Sequence, residues 1–262
     1  MTYPFDKVSP WLIYLIQVVA FIIIAELGYL LGRYRRKRAK DPSRLPISRG
    51  TGAIMALSAF MLAFTFGLGS SRYETRKQLV IEESNAIGTA YLRAMLLPDP
   101  QRQKCMTILR EYVRERSVTG MDYSEAMQLN ERSMQMHDRL WDQVQSLKSN
   151  NDYSRASISF TQALNEVIDL HTTRFNSSLR NRIPISIWLT LYVIAVFSML
   201  LNGYSDGLSG KQQSVFAGMI IVLTFSAVLL LIHHLDRPLS DSHLTGFNKQ
   251  AMVDLFQTMK VP

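Results

Sequence analysis

Apolar residues fill four stretches, Trp11 to Gly32, Thr51 to Ser70, Ile185 to Tyr204 and Ser214 to His233, and polar positions dominate most of the chain between them. Each stretch has about the 20 residues that a helix rising about 1.5 Å per residue needs to cover a hydrocarbon core of about 30 Å. With no water there to satisfy N–H and C=O groups, the spans must be helical. Four crossings return both termini to one side of the membrane.

The segment between the second and third spans has a helical period of its own. Leu79, Ala86, Ile87, Ala90 and Ala94 recur at three and four spacing, which predicts a buried stripe on a helix running straight out of the second span. Pro98 and Pro100 end it, and Asp99 before Pro100 reads as an N-cap with proline at the first helical position. The next helix carries Met106, Leu109 and Val113 and stops near Gly120. Asp122 with Glu125 resembles a capping box for a third helix bearing Met127, Met134, Leu140, Val144 and Leu147. After a turn at Asn150, Asn151 and Asp152, Phe160, Leu164, Val167, His171 and Phe175 mark a fourth helix leading toward the third span, with Pro184 at its entry. Phe247 to Met259 reads as a short amphipathic helix that packs on this layer or lies at the interface.

The expected fold is therefore all-α: a polytopic membrane protein with four transmembrane helices and a helical extramembrane domain inserted between the second and third spans. Its parts are a first hairpin over 1–70 with a basic loop at 33–50, the helical domain over 71–183, a second hairpin over 184–236, and a tail over 237–262. The domain's first and last helices extend transmembrane helices, which would couple it mechanically to the membrane.

Composition hides this pattern, because the mean hydropathy of +0.03 averages greasy spans with a polar middle. The formal net charge of +8 could suggest nucleic acid, yet the cations gather beside the spans, where anionic lipid and topology explain them. No nucleic-acid partner is expected. Arg33, Arg35, Arg36, Lys37, Arg38, Lys40, Arg44 and Arg49 crowd the first loop, and only Lys7 precedes the first span. That arrangement is unlike a signal peptide and favours a cytoplasmic loop, with the termini and the 71–183 domain on the periplasmic side of a bacterial inner membrane. Arg72, Arg76 and Lys77 after the second span, and Arg174, Arg180 and Arg182 before the third, oppose this orientation, but the first loop is denser. The single cysteine, Cys105, offers neither an internal disulfide nor a metal pair.

Candidate chemistry lies mostly near the membrane. Glu26 sits inside the first span, where a carboxylate is costly unless protonated, paired or wet; it is a functional candidate or a packing residue, with Arg33 in snorkelling reach. In the second span Ser58, Thr65 and Gly69 fall on one side and Phe60 and Phe64 lie one turn apart on another. These could line a pore with a dewetting constriction, or the helix could simply pack through Gly67 and Gly69. Glu82, Glu83 and Asn85 just past the membrane form an ion-selecting ring, a site for a small ligand or a buried polar network. Arg93 is ten positions from Glu83 on the same helix, so it needs a partner elsewhere, with Asp236 one choice. Asp236 and Arg237, followed by Pro238, stop the fourth span and could lock it to the domain. His233 and His234 are adjacent, a poor metal pair, and His137 and His171 read as ordinary core or surface histidines. No phosphate loop, nucleophile elbow, metal motif or catalytic carboxylate pair stands out, so neither enzyme activity nor a cofactor is expected.

Several runs carry a family likeness. Arg72-Tyr73, Arg76 to Val80, Glu82 to Arg93 and Leu96-Leu97-Pro98, with Ala25 to Gly28, Arg110 to Val113, Arg180 to Arg182, Asn202 to Tyr204 and Leu235 to Pro238, resemble the bacterial bestrophin-like four-span membrane proteins, a family of unknown function. The resemblance covers nearly the whole chain. Bestrophins are pentameric anion channels with a hydrophobic neck, so it implies a homo-oligomer in a lipid bilayer, pentameric by analogy, that passes small ions and prefers anions. Among basic residues, Arg72, Arg76, Arg180 and Arg182 agree with anions, whereas Glu82 and Glu83 favour cations. The alternative is a membrane sensor, regulator or scaffold whose helical domain binds a ligand or partner without a pore.

Overall fold

The computed structural model describes residues 8–38, 49–118, 123–149, 154–179, 181–209, 215–237 and 250–259. Eight helices and no strand occur among them: α1 Pro10–Arg38, α2 Arg49–Ala94, α3 Gln101–Arg116, α4 Tyr123–Ser149, α5 Arg155–Leu179, α6 Ile185–Ser209, α7 Val215–Asp236 and α8 Gln250–Thr258. Four are long and apolar enough to cross a membrane, within Pro10–Arg38, Gly50–Ala94, Ile185–Ser209 and Gly218–Asp236. The 46 residues of α2 extend about 69 Å at about 1.5 Å each, twice a hydrocarbon core, so only its first half belongs to the bilayer. The chain divides into two compact units, Met1–Arg72 with Arg182–Arg237, and Tyr73–Asn181 with Pro238–Pro262.

The first unit is apolar on its outside. Trp11, Ile16, Ile23, Leu31, Ile185 and Leu189 are all more than half exposed, while Gln17, Ser58, Thr65, Ser198 and Ser226 are buried. Water would penalise that distribution and lipid permits it. Its core gathers Phe21, Leu62, Trp188, Leu191, Met199, Leu229 and Ile232. The closest helix pairing is α1 on α6, made by two facing small-x-x-x-small motifs, Gly28/Gly32 and Gly203/Gly207. A Cβ on Gly28 would meet the Leu200 carbonyl, on Gly32 that of Tyr204, on Gly203 that of Ala25, and on Gly207 that of Tyr29. Between lipid-facing helices, such approach brings dispersion contacts that oily side chains do not add over lipid tails. Arg35 ties the same pair by donating to the Tyr204 hydroxyl at 2.7 Å.

Helix α7 stops at Asp236, as expected from the sequence. The Asp236 carboxylate accepts the Ile183 N–H at 2.9 Å and lies 3.5 Å from the Arg182 Nε, and Arg237 donates to the Val8 carbonyl at 2.6 Å. The lock is thus internal to this unit.

In the second unit the apolar stripe expected on α2, Leu79, Ala86, Ile87, Ala90 and Ala94, is buried, and from Ala86 onward it joins Leu109, Tyr112, Val113, Leu140, Leu147, Phe160, Leu164 and Val167 in one core. Helix α8 belongs to it through Met252, as does Met259 just past its end, with Ser84 donating to the Ala251 carbonyl and Arg110 over the Phe256 ring at 4.7 Å. Two local expectations are corrected. Asp99 does not cap α3; Pro100 occupies the N-cap position, and the Asp99 carboxylate takes Arg102 at 2.6 Å. On α4, Met127 and Met134 are exposed at 41% and 48%, and the buried face runs instead through Leu129, Ser133, Met136, His137, Leu140 and Leu147. Gly120, Asp122, Asn150, Asn151, Asp152, Arg180 and Pro238 lie outside the described residues.

Candidate functional site

Glu83 occupies the buried line of α2, one turn past Leu79, with its side chain wholly enclosed. A carboxylate there demands cations, and three helices supply groups. Arg116 of α3 donates through one nitrogen to both carboxylate oxygens at 3.0 and 3.1 Å, Arg174 of α5 donates to Oε2, and the Tyr112 hydroxyl of α3 donates to Oε1 at 2.8 Å. His171 of α5 places Nδ1 3.0 Å from that hydroxyl and 3.7 Å from Oε1. Because the only Tyr112 O–H is committed to Glu83, Nδ1 must be the protonated nitrogen of His171. Its Nε2 lies 3.1 Å from the Asn130 Oδ1 of α4. His137 of α4 stacks against both rings, with centroids 5.1 Å from Tyr112 and 4.9 Å from His171, and its Nε2 is buried without a hydrogen-bond partner.

Electrostatics follow from this enclosure. Burial alone would push the Glu83 pKa up, but Arg116 and Arg174, with hydrogen bonds from His171 and Arg174, overcome it and hold the carboxyl well below the usual range. Burial and the Glu83 charge push the Tyr112 phenol well above its ordinary value. Burial lowers the His171 pKa despite Glu83, and burial with nearby His171 and Arg116 lowers that of His137 to about 4. Both histidines are therefore neutral at pH 7, and one carboxylate faces two guanidiniums, leaving one net positive charge in the cluster. Cys105, buried in the same unit, is pushed up to about 12 by burial and is an inert thiol.

The membrane-proximal residues separate into two groups. Glu82 and Asn85 are exposed, with Gln78 donating to Glu82 at 3.2 Å; they line an open groove of about 720 Å³ shared with Glu166 and Asp169 of α5. Glu83 points the other way, so the three do not form one ring. Arg93 donates to the Ser159 carbonyl at 2.9 Å, and Asp236 is held by Arg182 and the Ile183 N–H, so each member of the suggested Arg93–Asp236 pair is engaged within its own unit. Of the two histidines read as ordinary on α4 and α5, His171 bonds to the Tyr112 hydroxyl beside Glu83, and His137 stacks on both of their rings.

Along the second span, α2 buries Ser58, Leu62, Thr65 and Gly69 and exposes Phe60 and Phe64 at 66% and 52%. Ser58 bonds to the Ser198 hydroxyl, and Thr65 donates to the Met61 carbonyl at 2.7 Å. Ser58 and Thr65 thus serve packing, which corrects their grouping with the phenylalanines as pore-lining candidates. A Cβ on Gly69 would lie 3.5 Å from Leu235, while nothing lies within 4 Å of one on Gly67, so of the two glycines suggested for packing only Gly69 packs. Glu26 is exposed on α1 among Ile22, Ile23, Leu27 and Leu30, which are also outward-facing. Among the described residues no group of three His, Cys, Asp or Glu could hold a metal.

No curated protein matches the sequence significantly. Among solved structures, a membrane protein carrying a single substitution superposes with a TM-score of 0.70 at 11% identity, over 93% of this chain and 98% of that one. Two crystal structures of a bacterial bestrophin homolog from Klebsiella pneumoniae, each with a single mutation, give TM-scores of 0.68 and 0.69 at 10% and 11% identity, covering 93% and 92% of this chain and 99% and 98% of theirs. At these identities the likeness is one of fold. The model of the bestrophin-like domain matches residues 19–243, and the chain belongs to the bestrophin-like family of multi-pass membrane proteins.

Proposed function

We propose that the protein is a homo-oligomeric ion channel whose α2 helices surround the pore, with Phe60 and Phe64 forming its narrow hydrophobic gate. The observation that carries this is the two-faced character of α2: one face is packed through Ser58, Leu62, Thr65 and Gly69, and the other presents two phenylalanines one turn apart, each more than half exposed. A ring of such side chains expels water from a narrow pore and blocks ions until it widens. A pentamer and a preference for anions follow from family likeness. The charge argument for cations weakens, because Glu83 is neutralised by two arginines, and of Glu82 and Glu83 only Glu82 keeps an exposed carboxylate.

Ion flux from purified protein in liposomes tests the reading. Wild type is expected to conduct, and Phe60→Ala with Phe64→Ala to raise the flux by roughly tenfold, the equivalent of about 1.4 kcal/mol off the barrier. Silence from both proteins, in vesicles where the protein is demonstrably inserted, would sink it.

The proposed orientation puts loop 33–50 in the cytoplasm, with the termini and the 71–183 domain on the periplasmic side of a bacterial inner membrane. It is supported by the basic last turn of α1, Arg35 to Arg38, against a single lysine ahead of the helix. Alkaline phosphatase fused to the C-terminus should be active in cells; fluorescence from a cytoplasm-dependent reporter at the same position would reverse the assignment.

A further inference from the structure

The buried cluster has an outlet. His137 and His171 form part of the wall of an open groove of about 730 Å³ between α4 and α5, a size common for small-molecule sites. Apolar surface comes from Met134, Trp141, Ile168 and Phe175, and Glu131 and Asp138 stand exposed at the rim. Among the described residues, no lysine or arginine lines it.

Its charges are separated by depth. Behind the histidines, Glu83, Arg116 and Arg174 sum to one positive charge, with all three side chains at least nine-tenths buried. The rim carboxylates are negative but act through water, which weakens them with distance, whereas the enclosed charge is poorly screened. A simple anion meets the acidic rim, and a simple organic cation meets the positive floor. A molecule carrying both charges satisfies the two fields together.

One group in the wall also lacks a partner. His137 is 94% buried, and its Nε2 has no hydrogen bond, a deficit that is costly in an enclosed site unless something supplies a partner. A neutral imidazole with Nε2 protonated is a donor suited to a carboxylate oxygen.

We propose that this groove binds a small zwitterion, an α-amino acid with an apolar side chain: its carboxylate pairs with His137, its ammonium sits at Asp138 and Glu131, and its side chain lies on Trp141 and Phe175. The site is confined to α4 and α5 and does not depend on a pore. It gives the helical domain a ligand that the channel reading does not supply.

Full-length protein in lipid nanodiscs, titrated by calorimetry with L-phenylalanine as the probe, tests this. L-phenylalanine should bind saturably and raise the melting temperature. 2-Phenylethylamine, which lacks the carboxylate, and 3-phenylpropanoate, which lacks the ammonium, should each bind at least tenfold more weakly. His137→Gln should weaken phenylalanine binding by at least tenfold, and Asp138→Asn, an exposed change that leaves the core intact, should do so even if the His137 variant fails to fold. Absence of saturable phenylalanine binding at millimolar concentration overturns the proposal. So does equal affinity for the amine, which would make this an organic-cation site, equal affinity for the acid, or an Asp138→Asn protein that binds like wild type. None of these outcomes touches the liposome flux, so the two readings stand or fall separately.

Discussion

Glu83→Ala is expected to destabilise the helical unit by about 3–5 kcal/mol, the cost of removing one partner from a buried ion cluster. Arg116 and Arg174 would then face each other in an enclosed site with no anion, and the Tyr112 hydroxyl would lose its acceptor. Against a total stability of about 5–15 kcal/mol, this is enough to leave much of the protein misfolded. The check is thermal unfolding of detergent-solubilised protein together with its monodisperse fraction. Replacing Glu83, Arg116 and Arg174 together by leucine and methionine should recover part of the loss, because a fully apolar cluster avoids desolvation altogether. A Glu83→Ala protein melting within about 2 °C of wild type would show that the cluster contributes nothing.

Acid should weaken the same cluster in the unmodified protein. The Glu83 carboxyl has a folded pKa below its unfolded value, so its contribution is complete above about pH 4.3 and disappears as pH falls through the folded value. His137 and His171 also have lowered folded values, so the unfolded chain binds their protons first. Stability therefore declines from about pH 6.5 downward. For His137 the decline continues to about pH 4 and corresponds to about 3 kcal/mol in all. Unfolding midpoints measured between pH 7 and 4 should follow that course.

What the sequence discloses depends on how far apart the interacting residues lie. The spans are readable because crossing lipid is a requirement on one segment at a time, and the stripe Leu79, Ala86, Ile87, Ala90, Ala94 is readable because a helix buries positions at its own period. The same period places Glu83 on the buried line and Glu82 off it, so their separation was available from spacing alone. Its partners were not: Arg116 and Arg174 are 33 and 91 positions away, and their choice of Glu83 is made by tertiary packing. On α4, Leu140 and Leu147 fix one edge of the buried face, but weighting methionine over histidine and serine rotated the predicted face toward Met127 and Met134. His137 and Ser133 are inside because they have polar or aromatic neighbours there, a property of the fold. In the second span, Ser58 and Thr65 suggested a wet face, yet hydroxyls in lipid are better satisfied against another helix or their own backbone, which is where both are found.

The glycine pairs of α1 and α6 follow the same logic, and they set the second large effect. Gly28, Gly32, Gly203 and Gly207 each put bare backbone against the carbonyl of the facing helix, so the first carbon of any side chain lands where an oxygen already sits. Overpacking a core costs about 1–3 kcal/mol when neighbouring side chains can turn aside. Here the obstacle is main chain on both sides, so the helices must separate, losing dispersion along their length and the Arg35–Tyr204 bond at the same end. Gly28→Ile or Gly203→Ile should therefore cost more than about 3 kcal/mol, and the two together should prevent the hairpins from assembling. Gly67→Ala is the matched control, since nothing lies within 4 Å of its new methyl, and a helix gains up to about 1 kcal/mol from exchanging glycine for alanine. The comparison is made on membrane-inserted protein, by the fraction that resists aggregation on heating. If Gly203→Ile resists heat as well as Gly67→Ala does, the helices are not held by backbone contact, and the first and third spans must be joined by something other than their glycines.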